Sequence, residues 1–218
     1  MRAQFHEQLE ALFHDLAEIC GLVEVAVTRA SEALRTGDSS VAEKVISDDE
    51  VIDRARETLE EDAFALLSLQ QPVAGDLRTL VAALRMVTEL ERMGDLSVHV
   101  AKIARLRVPE LAVPASLQGT METMSVTAID MVRRVCDIIA SRDVQAAIEL
   151  GRDDEKMDQL RRASFAQLLD DDYADGIEAA VDIALLGRYF ERIADHAVSV
   201  ANRVVFVVTG ENPGSVDA

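Results

Sequence analysis

Two short acidic motifs occur twice in this chain. Glu91-Arg92-Met93-Gly94-Asp95 returns 100 residues later as Glu191-Arg192-Ile193-Ala194-Asp195. Asp49-Glu50-Val51-Ile52-Asp53 returns 105 residues later as Asp154-Glu155-Lys156-Met157-Asp158. The first likeness continues at Val98 and Val198, Val100 and Val200, and Ala101 and Ala201. On a helix, residues i and i+4 share a face, so Asp49 pairs with Asp53, Glu91 with Asp95, Asp154 with Asp158 and Glu191 with Asp195. Like charges at that spacing are mildly unfavourable unless a cation sits between them. Oxygen-rich sets of this kind suit hard or borderline cations such as Mg²⁺, Mn²⁺ and iron.

The register supports clustering. With a turn near Gln71, position 51 lies 20 residues before it and position 93 lies 22 residues after it. In an antiparallel hairpin the two motifs are level within roughly 3 Å at about 1.5 Å per residue. A second turn near Tyr173 places positions 156 and 193 at 17 and 20 residues from it. Each hairpin therefore brings four carboxylates to one height, where they repel unless protonated, paired or metal-bound. The competing reading is a set of solvated salt bridges. Arg92 and Arg192 stand beside the glutamates, Arg54 stands beside Asp53, and so acidic a chain produces chance pairs such as Glu57 and Glu61.

Other chemistry finds little support. A ferritin-like di-iron site needs Glu-x-x-His, but Gly94 and Ala194 occupy the third position after each glutamate. His99 and His196 stand near the motifs, and His6 and His14 on the first helix. There is no His-Glu-x-x-His, P-loop or Gly-rich dinucleotide motif, and no nucleophile in a triad context. The seven Met fall mostly at apolar helical positions and read as core. Cys20 and Cys136 are far apart in apolar helical context and read as buried small hydrophobes. Nothing here argues for catalysis, which leaves a metal-dependent helical-bundle enzyme (a phosphohydrolase or di-metal oxidase) as the alternative to a metal-bearing adaptor.

The elements that must position these residues are helical. Leu9, Leu12, Phe13, Leu16, Ile19, Val23 and Val27 recur at three- and four-residue steps. They predict a helix from about Arg2 to Arg35, ended by Gly37 and followed by Asp38 or Ser39 as a cap. A second helix runs to about Leu69, broken at Gln70-Gln71-Pro72. A third runs from about Val73 to Leu106. Helices from about Ala115 to Ser141, from the cap Asp143 to Leu169, and from Ile177 (with Asp175 as candidate cap) to Thr209 repeat the order. The reading is all-α: two tandem three-helix bundles over 1–108 and 115–210, a linker at 109–114 and a frayed tail at 211–218. The 218 residues include only 4% aromatics, no Trp, 10 Gly and 4 Pro, which disfavours a many-stranded fold. With 40 acidic against 22 basic residues the net charge is -18. That excludes nucleic acid as an electrostatic partner and opposes direct docking on an anionic membrane. The opening residues are polar, without the apolar stretch of a signal peptide, and no apolar run reaches the length of a membrane span. A soluble, cytoplasmic protein is expected.

Leu90-Glu91-Arg92-Met93-Gly94-Asp95, followed by Val98 and Ala101, resembles the first signature of the PhoU family of phosphate-signalling proteins. Tyr189-Phe190-Glu191-Arg192-Ile193-Ala194-Asp195-His196, then Ala201-Asn202, resembles the second. Gln71-Pro72-Val73-Ala74-Gly75-Asp76-Leu77-Arg78 and Val208-Thr209-Gly210-Glu211 are also similar to that family, and the actinobacterial PhoY-type branch fits best. The resemblance implies two three-helix bundles, usually as a homodimer. It implies ions of Mg, Mn, Fe or Zn on Asp49, Asp53, Glu91, Asp95, Asp154, Asp158, Glu191 and Asp195. It further implies negative regulation of the phosphate-starvation response. The partners would be the phosphate ABC transporter ATPase PstB and the sensor histidine kinase PhoR, so the membrane is reached only through them. Gly75 stands where the family often has Arg, and Ala194 where Gly is usual.

Overall fold

The structure is a computed structural model that describes residues 2–70, 72 and 74–211, without the side chains of 2–4, 69, 70 and 153. Among the described residues there are six α-helices and no strand. They are α1 (Arg2–Thr36), α2 (Ser39–Gln70), α3 (Gly75–Arg107), α4 (Gln118–Ser141), α5 (Val144–Leu168) and α6 (Gly176–Thr209). Gln71, Val73 and all but the first residue of the expected 211–218 tail lie outside the described residues.

The helix ends follow local chemistry. Gly37 takes a left-handed φ of 69°, and its N–H donates to the Ala33 carbonyl at 2.9 Å. The Asp38 carboxylate accepts from the N–H groups of Ser40 (2.8 Å) and Val41 (3.3 Å), capping α2. The Ser40 hydroxyl, donating at 2.7 Å, and then these N–H groups hold its carboxyl below the usual range. Asp143 caps α5 through the N–H groups of Gln145 and Ala146. Asp175 does not cap α6 as expected. It precedes the helix in an α-like conformation, and its carboxylate instead accepts from Ser116 Oγ at 2.6 Å.

Each set of three helices packs mutually, and the sets join through α1 against α4 and α3 against α6. Those four form the centre, with α2 and α5 on the flanks. Both central pairs run antiparallel. Glu10 meets Arg142 and Glu24 meets Arg133 on α1 and α4. On α3 and α6, the Arg78 guanidinium donates to the Val207 carbonyl, while Arg107 donates to Asp182 at 2.5 Å and also to Glu178. Midway, His196 Nδ1 lies 2.5 Å from Glu89 Oε2, and the rings of His99 and Tyr189 stack at 5.3 Å. These two pairings exchange helices, as a pseudo-two-fold axis between the repeats requires. Buried residues from both repeats form one continuous apolar core.

The cysteine expectation is corrected. Cys20 on α1 is fully buried, yet it is paired with the partly buried Cys136 on α4 as a disulfide, with Cα atoms 5.4 Å apart. Their separation of 116 residues conceals the pairing in the sequence; the antiparallel α1–α4 contact creates it.

Candidate functional site

The first motif pair meets between α2 and α3. Gly94 makes the approach possible: a Cβ there would lie 3.1 Å from Ile52 Cδ1 and 3.4 Å from Asp49 Oδ1. The backbone of α3 therefore sits directly against Asp49. Burial first, then the charges of Asp53, Asp95 and Glu91, push the Asp49 carboxyl up to about 6. Glu91 is also raised, by burial and then Asp95, with Arg92 and Arg56 opposing. The four expected residues of this half thus share one electrostatic field. Arg92 partly compensates them, 3.2 Å from Asp95 Oδ2 and 3.6 Å from Glu91 Oε2. Arg54 pairs with Glu50 rather than Asp53.

The second pair meets between α5 and α6. Asp154 is raised by burial, then by Asp195, Asp158 and Glu191. Asp195 is raised by burial, then by Glu191. Glu191 differs from its counterpart because it is only 6% exposed and clamped by two arginines. Arg161 donates to its Oε1 at 3.1 Å, and Arg188 donates to its Oε2. Salt bridging thus accounts for one carboxylate of this half, through Arg161 and Arg188 rather than Arg192. Asp158 accepts a longer contact from Arg162 at 3.5 Å.

The donor set has the chemistry of a hard-cation site. It is all carboxylate oxygen, and Asp49, Glu91, Asp154 and Asp195 are raised by burial first and then by neighbouring carboxylates, a repulsion that a divalent ion would remove. The side chains do not converge. Among the described residues, three ligating atoms come within 4.8 Å of one another at His14, Asp15 and Glu18 on α1, not at either motif. Binding in the first half requires Glu91 and Asp95 to turn from Arg92 toward Asp49 and Asp53. In the second half Glu191 must also leave its clamp. His99 and His196 belong to the α3–α6 seam.

The PhoU domain model matches this chain twice, over residues 16–104 and 121–204. The chain belongs to the PhoU family. It is 46% identical over 213 residues to the phosphate-specific transport system accessory protein PhoU homolog 2 of Mycobacterium tuberculosis, covering 98% of this chain and 100% of that one. It is 32% identical to the PhoU homolog of Rhizobium meliloti, covering 96% and 89%. The crystal structure of PhoU from Pseudomonas aeruginosa superposes with a TM-score of 0.87 at 28% identity, covering 95% of this chain and 100% of that one.

Within this PhoU chain the two clusters are unequal for readable reasons. Arg56 and Arg161 occupy the same repeat position, 105 residues apart, which is the signal that reveals the second clamp. Arg188 has Thr88 as its counterpart, so the first half has no second arginine to hold Glu91. Arg56 bonds Glu60 at 2.9 Å instead. Gly94 faces Ile52, whereas Ala194 and Met157 fill the corresponding positions and are both fully buried. A flexible Met adapts to the extra methyl where a branched Ile would crowd it.

Proposed function

We propose that this chain is a metal-bearing adaptor of the phosphate-specific transport system that holds the phosphate-starvation response off when phosphate is plentiful. It would couple a PstB-like transporter ATPase to a PhoR-like sensor histidine kinase, acting as a homodimer in the cytoplasm. The observation that carries this reading is end-to-end similarity to proteins named as accessory proteins of that system. No helix of the described residues is long and apolar enough to cross a membrane, which fits an adaptor reaching the bilayer through partners. Four motif carboxylates lie on each of the α2–α3 and α5–α6 hairpins. Ions at Asp49, Asp53, Glu91 and Asp95, and at Asp154, Asp158, Glu191 and Asp195, would neutralise repelling charge and fix the α2–α3 and α5–α6 surfaces. Mg, Mn, Fe and Zn are the candidate ions.

Affinity purification from phosphate-replete and phosphate-starved cells tests the coupling. The expected result is retention of an ABC ATPase and a histidine kinase, stronger in replete cells. Retention of neither under both conditions refutes it. Plasma mass spectrometry of wild type against the Glu91→Gln/Asp95→Asn double variant, after equal metal exposure, tests the ligands. Equal metal per chain removes Glu91 and Asp95 from the ligand set.

A further inference from the structure

The repeats differ most at their hairpin tips. α2 has 32 residues and α5 only 25; α1 has 35 and α4 only 24. Because the acidic motifs are level, helix lengths can be compared from them. α2 reaches the height of the first residue of α3. α5 stops near the height of Val181, leaving roughly 7 Å of α6 beyond the end of α5 at about 1.5 Å per residue. In the first repeat the long α1 also reaches the tip: Phe5 and Leu9 are buried, and His6 Nδ1 lies 4.0 Å from Asp76 Oδ1. In the second repeat it is the turn before the shorter α4 that reaches this height, where Ser116 Oγ donates to Asp175 at 2.6 Å.

The surface at this tip is apolar. Leu169 is 81% exposed and Ile177 85%, whereas Leu77, the counterpart of Ile177, is 41% exposed. Leu80 is fully buried, but its counterpart Ala180 is only half-buried. Phe165, Leu168, Leu169, Tyr173, Ile177 and Val181 line an open groove of about 420 Å³. The Tyr173 hydroxyl is buried there without a hydrogen-bond partner among the described residues. The exposed run Asp170-Asp171-Asp172 connects the groove residues Leu169 and Tyr173 along the chain.

We propose that this groove docks an amphipathic helix of a partner protein, two to three turns long, with an apolar stripe flanked by Lys or Arg. In the first repeat, where α1 and α2 are longer, the corresponding residues are less exposed: Phe64 59%, Leu77 41% and Val81 37%, against Leu169 81%, Ile177 85% and Val181 52%. The aspartate run supplies the sign, because it attracts a basic segment and repels an acidic one. A helix laid by its apolar face into a groove is a common recognition mode. The inference does not depend on metal binding or on which signalling proteins are involved.

The test is fluorescence anisotropy on the full chain with two labelled helical peptides of about twelve residues. Both carry Leu at i, i+3, i+4 and i+7; one has Lys on the other face and the other has Glu. The expected result is binding of the Leu/Lys peptide and at least roughly tenfold weaker binding of the Leu/Glu peptide. Leu169→Ser/Ile177→Ser leaves charge unchanged and should weaken the Leu/Lys peptide by roughly tenfold. Asp170→Asn/Asp171→Asn/Asp172→Asn should weaken it and flatten its salt dependence. All five positions are exposed, so an unchanged circular dichroism melt is expected for both variants. No binding, equal binding of the two peptides, or undiminished binding to the serine variant overturns the proposal. Light scattering supplies the last arm: if the serine substitutions abolish self-association, the occupant is a second copy of this chain and the proposal is wrong.

Discussion

Replacing Asp49 by Asn removes the most perturbed carboxylate of the first cluster while keeping its shape. Its carboxyl is raised to about 6, from an ordinary 3.8, by burial and by Asp53, Asp95 and Glu91. At about 1.4 kcal/mol per unit the full shift corresponds to ~3 kcal/mol. Asp49 is only half-buried, and solvent screening reduces this to about 1–2 kcal/mol. The sign follows from linkage. A raised folded-state value means that the native protein holds the proton more tightly. Below about pH 4 both states are protonated and Asp49 imposes no ionisation penalty. Between about pH 4 and 6 the unfolded chain ionises first and stability falls. Above that window the penalty is constant. Asp49→Asn should therefore stabilise the metal-free protein at pH 8 by about 1–2 kcal/mol, or ~3–6 °C in Tm for a chain of this size, and do little at pH 4.

With metal the sign should reverse. A ligand bound only by the native state stabilises it by about 2.7 kcal/mol at a hundredfold excess over Kd, and the variant forfeits part of that. Urea denaturation at pH 4 and pH 8, each with chelator and with saturating Mn²⁺, gives four stability differences. Equal destabilisation by Asp49→Asn at both pH values in chelator refutes the electrostatic argument. An unchanged Mn²⁺ contribution refutes Asp49 as a ligand.

Gly94→Ala adds a Cβ 3.1 Å from Ile52 Cδ1; crowding should outweigh the ~1 kcal/mol gain in helix propensity and leave a net loss of about 1 kcal/mol in urea unfolding. Adding Ile52→Val should recover most of it. Arg161→Met releases Glu191, so calorimetric titration should find tighter metal binding in the second half, alongside lower stability in chelator because a buried carboxylate has lost a partner. Cys136→Ser opens a link between residues 116 apart, and the loop-entropy model gives a loss of up to about 4–5 kcal/mol. Dithiothreitol should lower the wild-type Tm and leave that of the variant unchanged.

The helices were legible because their apolar periodicity is long and their punctuation is chemically plain. Gly37, Asp38, Asp143 and Gly210 each act at the expected boundary. Asp175 shows the limit of that method: a carboxylate before a helix caps it only if nothing nearer competes, and Ser116 does. The facing of the two motifs within each hairpin was also legible, since motif register is arithmetic, but their carboxylates do not converge. Adjacency named Arg92 correctly in the first half, but in the second half it pointed to Arg192 while the packed geometry selects Arg161 and Arg188. The seam between repeats was invisible for a different reason. Periodicity shows that a helix has an apolar face but not which helix covers it. Only in the fold do Cys20 and Cys136, or Glu89 and His196, become neighbours.

Duplication normally yields two equivalent sites, and here the departures from equivalence all fall on one side. The second repeat has Arg188 for Thr88, Ala194 for Gly94 and Met157 for Ile52, with a shorter α5 and α4. The arginine lowers the net negative charge around its cluster and ties down Glu191. The second repeat, with its shorter helices, has the more exposed apolar tip, with Leu169 and Ile177 more open than Phe64 and Leu77. A cation entering the first cluster therefore meets more uncompensated charge and fewer bonds to break. The antiparallel α3–α6 contact carries one motif of each cluster, and Glu89–His196 joins the two helices beside Glu91 and Asp195. Any movement of α3 on filling the first cluster must be accommodated at that seam, because the core is continuous there and close-packed interiors transmit strain. The asymmetry thus leaves more uncompensated carboxylate charge in the first half and a more exposed apolar tip in the second, with one packed helix pair between them.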